Sequence, residues 1–232
     1  MRKVEVQSFI SFIQEIELFD LIADLVVFRG QPKPGNLLPS IARSTPTKDT
    51  TDGEKKVLEQ LRLQGASMLT AAGSTDLDLL VMAQHYGLKT RLLDWTSNPL
   101  AALWFACTDQ NAGDVYVYAL EADNLLAQDV YQQDPFSTSQ TRIFQPRLNN
   151  SRIIAQQGWF TLHRYADRDM KFVALEHNPQ IKSNLHEFRI PQSLRTELLE
   201  KLDRLGVGAK TIYPDLGGLC QHLNWKYKLG VA

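Results

Sequence analysis

The order of hydrophobic patterns along the chain predicts an α+β fold, with N-terminal helices and a mostly antiparallel sheet. Helical periodicity dominates the first half and two-residue alternation the second. The two do not interleave as repeating strand–helix units, which argues against a doubly wound parallel sheet. No internal repeat or low-complexity tract interrupts this order.

From Val6 to Asp20 the apolar residues Phe9, Phe12, Ile13, Ile16 and Phe19 recur at helical spacing. Leu25-Val26-Val27-Phe28 reads as a short buried strand ending at Arg29-Gly30, and Pro32, Pro34 and Gly35 turn it into a loop. The polar stretch 44–53 reads as an exposed linker. Residues 54–70 and 76–86 read as two helices parted at Gly73-Ser74, the second capped by Ser74 or Thr75. Residues 88–95 are short and mixed. A very apolar helix follows through Cys107, with Thr96, Ser97 or Asn98 as cap and Pro99 in its first turn. Residues 114–120 alternate as a strand, and 128–146 carry too little periodicity for anything but a loop. Further strands are expected at 152–155, 159–163, 171–175 and 185–190. Helices are expected at 193–205 and from Asp215 to about Trp225, with Asp215 as N-cap.

A formal net charge of −1 supplies no global field for nucleic acid or an anionic membrane. Forty-four per cent hydrophobic residues are enough to bury one sizeable core, so residues 1–232 are expected to form a single domain. Cys107 and Cys220 lie far apart, with no spacing that suggests zinc or a disulfide framework. No metal site is therefore expected. Residues 1–5 lack the apolar core of a signal peptide, and no run approaches ~20 apolar residues, so a cytoplasmic protein is the expectation.

Two segments could carry chemistry. Arg29, at a strand end and followed by Gly30 and Gln31, places a planar guanidinium beside backbone that a phosphate or carboxylate could approach closely. A structural salt bridge is the competing reading. Between residues 84 and 98 stand Gln84, His85, Tyr86, Arg91, Asp94, Trp95, Thr96 and Asn98, flanked by apolar helices. So many polar groups must satisfy either one another or a ligand. His85 near a buried Asp94 would make an oriented base, or else a hydrogen-bonded core histidine. Gln156-Gln157-Gly158 reads as a junction between strands. No nucleophile elbow, Walker loop, zincin motif or dinucleotide glycine fingerprint is present, which removes the commonest hydrolase, nucleotidase and dehydrogenase readings.

The segments FRGQ at 28–31, LLPSIAR at 37–43, AQHYGLKTRLLDWTSNPLAALWFA at 83–106, RIIAQQGWF at 152–160 and IYPDLGGL at 212–219 resemble the FRG domain family. The resemblance runs from about residue 25 to 225, behind an N-terminal helix in residues 1–24. It points to bacteria and their mobile elements but implies little chemistry. A second, weaker similarity is to ADP-ribosyltransferases. It implies NAD as cofactor, with Arg29 and Gly30 at its pyrophosphate or ribose and His85, Tyr86 and Thr96 shaping the nicotinamide pocket. Gln31, Gln84, Arg91 and Asp94 complete the expected binding set. Gln156 or Gln157 stands where that family carries a catalytic Glu. An amide can hydrogen-bond a ribose but brings no negative charge, so Glu176 and Glu187 are the alternative carboxylates.

Three readings follow. The first is an NAD-consuming enzyme that transfers ADP-ribose to a macromolecule, as a bacterial toxin or phage-defence effector would. The second is a non-catalytic nucleotide- or protein-binding module. The third is a nuclease-like activity at His85 and Arg91, with no membrane partner in any of them.

Overall fold

In a computed structural model the described residues are 1–69, 75–108, 113–147 and 150–229. Among them, α+β architecture is realised as a seven-stranded sheet with helices packed on it. The strands are β1 (Arg2–Glu5), β2 (Val26–Gln31), β3 (Leu92–Thr96), β4 (Val115–Glu121), β5 (Arg142–Phe144), β6 (Gly158–Leu162) and β9 (Leu185–Ile190). Their order is β1-β9-β4-β2-β3-β6-β5, antiparallel throughout except for the outer pair β1–β9. A separate ribbon pairs β7 (Tyr165–Ala166) with β8 (Lys171–Phe172).

The helices are α1 (Phe9–Glu17), α2 (Thr51–Gln64), α3 (Asp76–His85), α4 (Pro99–Cys107), α5 (Ser151–Ala155), α6 (Arg195–Arg204), α7 (Ala209–Ile212) and α8 (Leu216–Lys226). Polar side chains set their starts. Ser8, Thr75, Asn98, Asn150 and Asp215 each accept a backbone N–H of the following first turn, relieving the orphaned donors there. The Ser74 alternative for the α3 cap, the break at Gly73-Ser74 and the expected helix end at Thr70 lie outside the described residues.

Helices α1, α4, α6 and α7 share one apolar cluster with Phe28, Val117 and Phe188 of the central strands. A second cluster joins α2, α3 and α5 to Leu92, Phe160, Leu162 and Phe144 of the other half-sheet. The two groups of helices thus cover different halves of the sheet. The opposite surface is closed by loop residues such as Leu37, Leu175 and Ile181 against Trp95, Tyr118 and Leu185.

Several expectations change. Residues 152–155 form helix α5 rather than a strand. The β-branched pair Ile153-Ile154 suggested extension, but the Asn150 cap and burial of Ile153 alone favour one helical turn. The linker expected at 44–53 already enters α2 at Thr51, and α2 stops at Gln64. The loop expected at 128–146 contains β5, whose three residues are too few to show a period. Of the strand expected at 171–175 only β8 forms, and Leu175–His177 is a 3-10 turn. Strand β1 was not foreseen because Arg2, Lys3 and Glu5 are charged, as suits a guarded sheet edge. Val6, placed in the first helix by its spacing, instead extends that strand and donates its N–H to the Arg189 carbonyl at 2.9 Å.

Candidate functional site

Strands β2 and β3 touch at a single register pair, Phe28 with Thr96. Each continues along a different neighbour, β2 along β4 and β3 along β6, so the sheet opens beyond that pair. A cleft of 330 Å³ lies at this fork, between the two groups of helices. Its walls include Arg29 and Gly30 of β2, Gln84 and His85 at the end of α3, Asp94 and Thr96 of β3, and Arg152, Gln156 and Tyr213.

Arg29 bridges the fork. Its Nη1 donates to the Asp94 carbonyl at 2.7 Å and lies 3.7 Å from the Asp94 carboxylate, while Nε donates to Gln31 Oε1 at 3.3 Å. Nη2 makes no hydrogen bond among the described residues, leaving two guanidinium protons for a ligand. Burial pushes the guanidinium down to about 10, with the Asp94 charge opposing the shift, so Arg29 stays cationic at neutral pH. Asp94 is held in turn by Gln84, whose amide donates to Oδ1 at 2.9 Å. Gln84 is itself oriented by the Thr90 hydroxyl. The Asp94 side chain nevertheless remains 58% exposed, so its charge is open to the cleft.

His85 makes no side-chain hydrogen bond among the described residues. Partial burial lowers its pKa, the Arg152 charge adds to that effect and Asp94 opposes it. The imidazole is therefore neutral at physiological pH and able to accept a proton. The Arg152 guanidinium lies over the Tyr213 ring at 5.3 Å and pairs with Asp215, leaving Nη1 without a hydrogen bond among the described residues. The floor is knitted by Thr96, which donates to the Gln156 carbonyl at 2.6 Å and accepts the Asn98 N–H at 3.0 Å. Asn98 then caps α4, which contributes Phe105 to the cleft.

Gly30 has a role other than the one its sequence position suggested. A Cβ there would meet the Ala102 carbonyl oxygen at 1.9 Å and the Ala106 nitrogen at 2.6 Å. The missing side chain admits α4 directly onto β2, and this contact sets the cleft wall.

Four of the expected site residues stand outside the cleft. Gln31 turns back to donate to the Lys33 and Gly35 carbonyls and to receive Arg29, so it positions the guanidinium. Arg91 is 1% exposed and held by both carboxylate oxygens of the equally buried Glu54, with the Phe136 ring 4.5 Å from its guanidinium carbon. That bond network is structural and corrects the binding role expected for Arg91. Tyr86 is 78% exposed and lines a neighbouring cavity. Gln157 has φ of +47° and accepts from Ser97 through both its backbone and side-chain oxygens, which makes it a turn residue.

Neither alternative carboxylate lines the cleft. Glu176 accepts the Asn36 and Leu37 backbone N–H groups, and Glu187 binds the Tyr118 hydroxyl and Lys3. Glu176 thus ties its 3-10 turn to the loop after β2, and Glu187 ties β9 to its neighbours β4 and β1. Sequence reasoning missed Arg152 and Tyr213 as cleft residues. Misreading α5 as a strand hid the first, and the second was read only as part of a strand-to-helix junction.

Residues 24–115 match the family model of the FRG domain. The match covers the fork, from Arg29 through Asp94 and Thr96, while Arg152, Gln156 and Tyr213 lie beyond it. No curated protein and no solved structure matches the chain. No group of three or more metal-ligating side chains occurs among the described residues, and no helix there is long and apolar enough to cross a membrane.

Proposed function

We propose that the cleft binds a pyrophosphate-containing nucleotide, with NAD as the ligand, and that it transfers ADP-ribose. The observation that carries binding is the unused Nη2 edge of Arg29 in a cleft that a second arginine, Arg152, also lines, together with hydroxyl and amide groups. Guanidinium forks suit phosphate oxygens.

For transfer, the bond between nicotinamide nitrogen and ribose C1′ breaks, and its electron pair leaves with the now neutral nicotinamide. The new bond forms at C1′ from a hydroxyl or water oxygen, whose proton passes to the neutral His85. Asp94, the carboxylate that lines the cleft, supplies the negative charge that the oxocarbenium-like centre needs. Gln156 offers an amide to the ribose. NAD consumption of this kind would suit a toxin or a phage-defence effector.

A second reading rests on the same carboxylate. Asp94 is already matched by Arg29 and Gln84, an arrangement that favours binding without turnover. The test is titration of the wild type and Arg29→Ala with NAD, with released nicotinamide measured in parallel. Binding that weakens about 10- to 100-fold in Arg29→Ala supports the cleft. Turnover lost in Asp94→Asn with NAD still bound supports transfer, and binding without any turnover selects the second reading. Absence of both binding and turnover in the wild type rejects both.

A further inference from the structure

Beside the cleft lies a second, larger cavity of 780 Å³, within the roughly 300–1000 Å³ range of small-molecule sites. The two share His85, and α3 and α5 contribute to both, so they are adjacent compartments of one region. Their linings differ in kind. Met68, Leu69, Val81, Met82 and Ile153 make most of the second cavity apolar, and the Tyr86 ring stands at its rim, edge-on to His85 at 5.2 Å.

One corner of this cavity is polar. Asp78 is buried, and its Oδ2 accepts the Thr75 hydroxyl at 2.7 Å and Arg147 Nη1 at 2.9 Å. Arg147 is held over the Tyr131 ring at 4.3 Å. Asp78 Oδ1 accepts no hydrogen bond among the described residues, although it belongs to a carboxylate that lines the cavity. A cavity-lining carboxylate oxygen with unused lone pairs can take a donor from whatever enters.

We propose that this cavity is the base subsite of the same ligand, and that the base is adenine. An aromatic heterocycle matches the apolar walls and the Tyr86 ring, and the exocyclic amino group of adenine gives Asp78 Oδ1 the donor it lacks. Hypoxanthine, with an acceptor oxygen in that place, would confront the carboxylate with a second lone pair. The phosphates then extend past His85 toward Arg29 and Arg152. This assignment rests on the nucleotide reading of the cleft and adds to it a base, a location and a specificity.

The experiment compares the affinities of ADP, IDP and inorganic pyrophosphate for the wild type, Tyr86→Ala and Arg29→Ala by calorimetry. Tyr86 is exposed, so its truncation leaves the core intact, which an unchanged thermal midpoint verifies. ADP is expected to bind about 10-fold more tightly than pyrophosphate or IDP, and Tyr86→Ala to weaken ADP by about 10-fold while leaving pyrophosphate unchanged. Arg29→Ala should weaken all three. If ADP binds no tighter than pyrophosphate or IDP, or Tyr86→Ala leaves ADP unaffected, the base subsite is overturned while Arg29-dependent pyrophosphate binding preserves the cleft. If the wild type binds none of the three, both readings fall together.

Discussion

Arg29 and Arg91 are both arginines in apolar surroundings, yet their partners give them opposite roles. Arg91 turns its Nε–Nη2 edge onto Glu54, with Thr51 on the same Nη2, and at 1% exposure presents no edge to a ligand. Arg29 keeps an edge free. Breaking the Arg91 pair strands a charge in the interior, where the loss exceeds anything the intact pair contributes. Glu54→Gln should therefore lower stability by about 3–5 kcal/mol in urea unfolding, and pairing it with Arg91→Met should restore most of the loss. A single mutant within about 1 kcal/mol of wild type would show that Arg91 finds another partner. From the sequence the two arginines were indistinguishable in kind, because Glu54 lies 37 residues from Arg91 and no periodicity links them.

At the scale of elements, the cleft depends on how closely α4 lies on β2. Gly30 makes that approach possible, and an added methyl would collide with helix backbone, which cannot rotate away as a side chain can. Gly30→Ala should cost about 2–3 kcal/mol or more and push α4 away from β2 at the cleft wall. Chemical denaturation measures the first effect. NAD affinity at a temperature where the variant is still folded measures the second. An alanine variant as stable as wild type would mean that the fork tolerates a wider helix–strand spacing. Caps were the most legible part of these elements: Asn98 and Asp215 stand where the sequence placed candidate caps. Short elements were the least legible. Helix α5 and strand β5 are too brief for a period, and tertiary packing of Ile153 and Ile143 decides them.

Across the whole molecule, β2, β3 and β6 bring Arg29, Arg91 and His163 into one electrostatic neighbourhood that spans the fork. His163 is buried and shares a hydrogen bond of 3.1 Å between its Nε2 and the Thr161 hydroxyl, whose oxygen also takes the Trp95 indole N–H. Burial, with the Arg29 and Arg91 charges adding to it, pushes the imidazole down to about 3. The unfolded chain takes up this proton first, near its ordinary value of about 6.5. The contribution of neutral His163 is thus complete above pH 6.5 and lost as pH falls toward 3. Between pH 6.5 and 5 the loss should be about 2 kcal/mol. His163→Gln should flatten that part of the stability profile in urea titrations at each pH. An unchanged slope would assign the acid sensitivity to other groups.

The sequence by itself determined the α+β class, the Asp215 cap of α8, a short set of candidate caps for α4 that includes Asn98, and the resemblance to the FRG family at residues 28–31 and 83–106. Those follow from local propensity and from side chains that reach only a few residues. Tertiary structure alone decided which polar groups meet. The single Phe28–Thr96 register pair opens the fork, Glu54 removes Arg91 from it, and α5 brings Arg152 and Gln156 to it. Hydrogen bonds and ion pairs between distant segments leave no periodic trace in a chain, so the site's membership is a property of the fold.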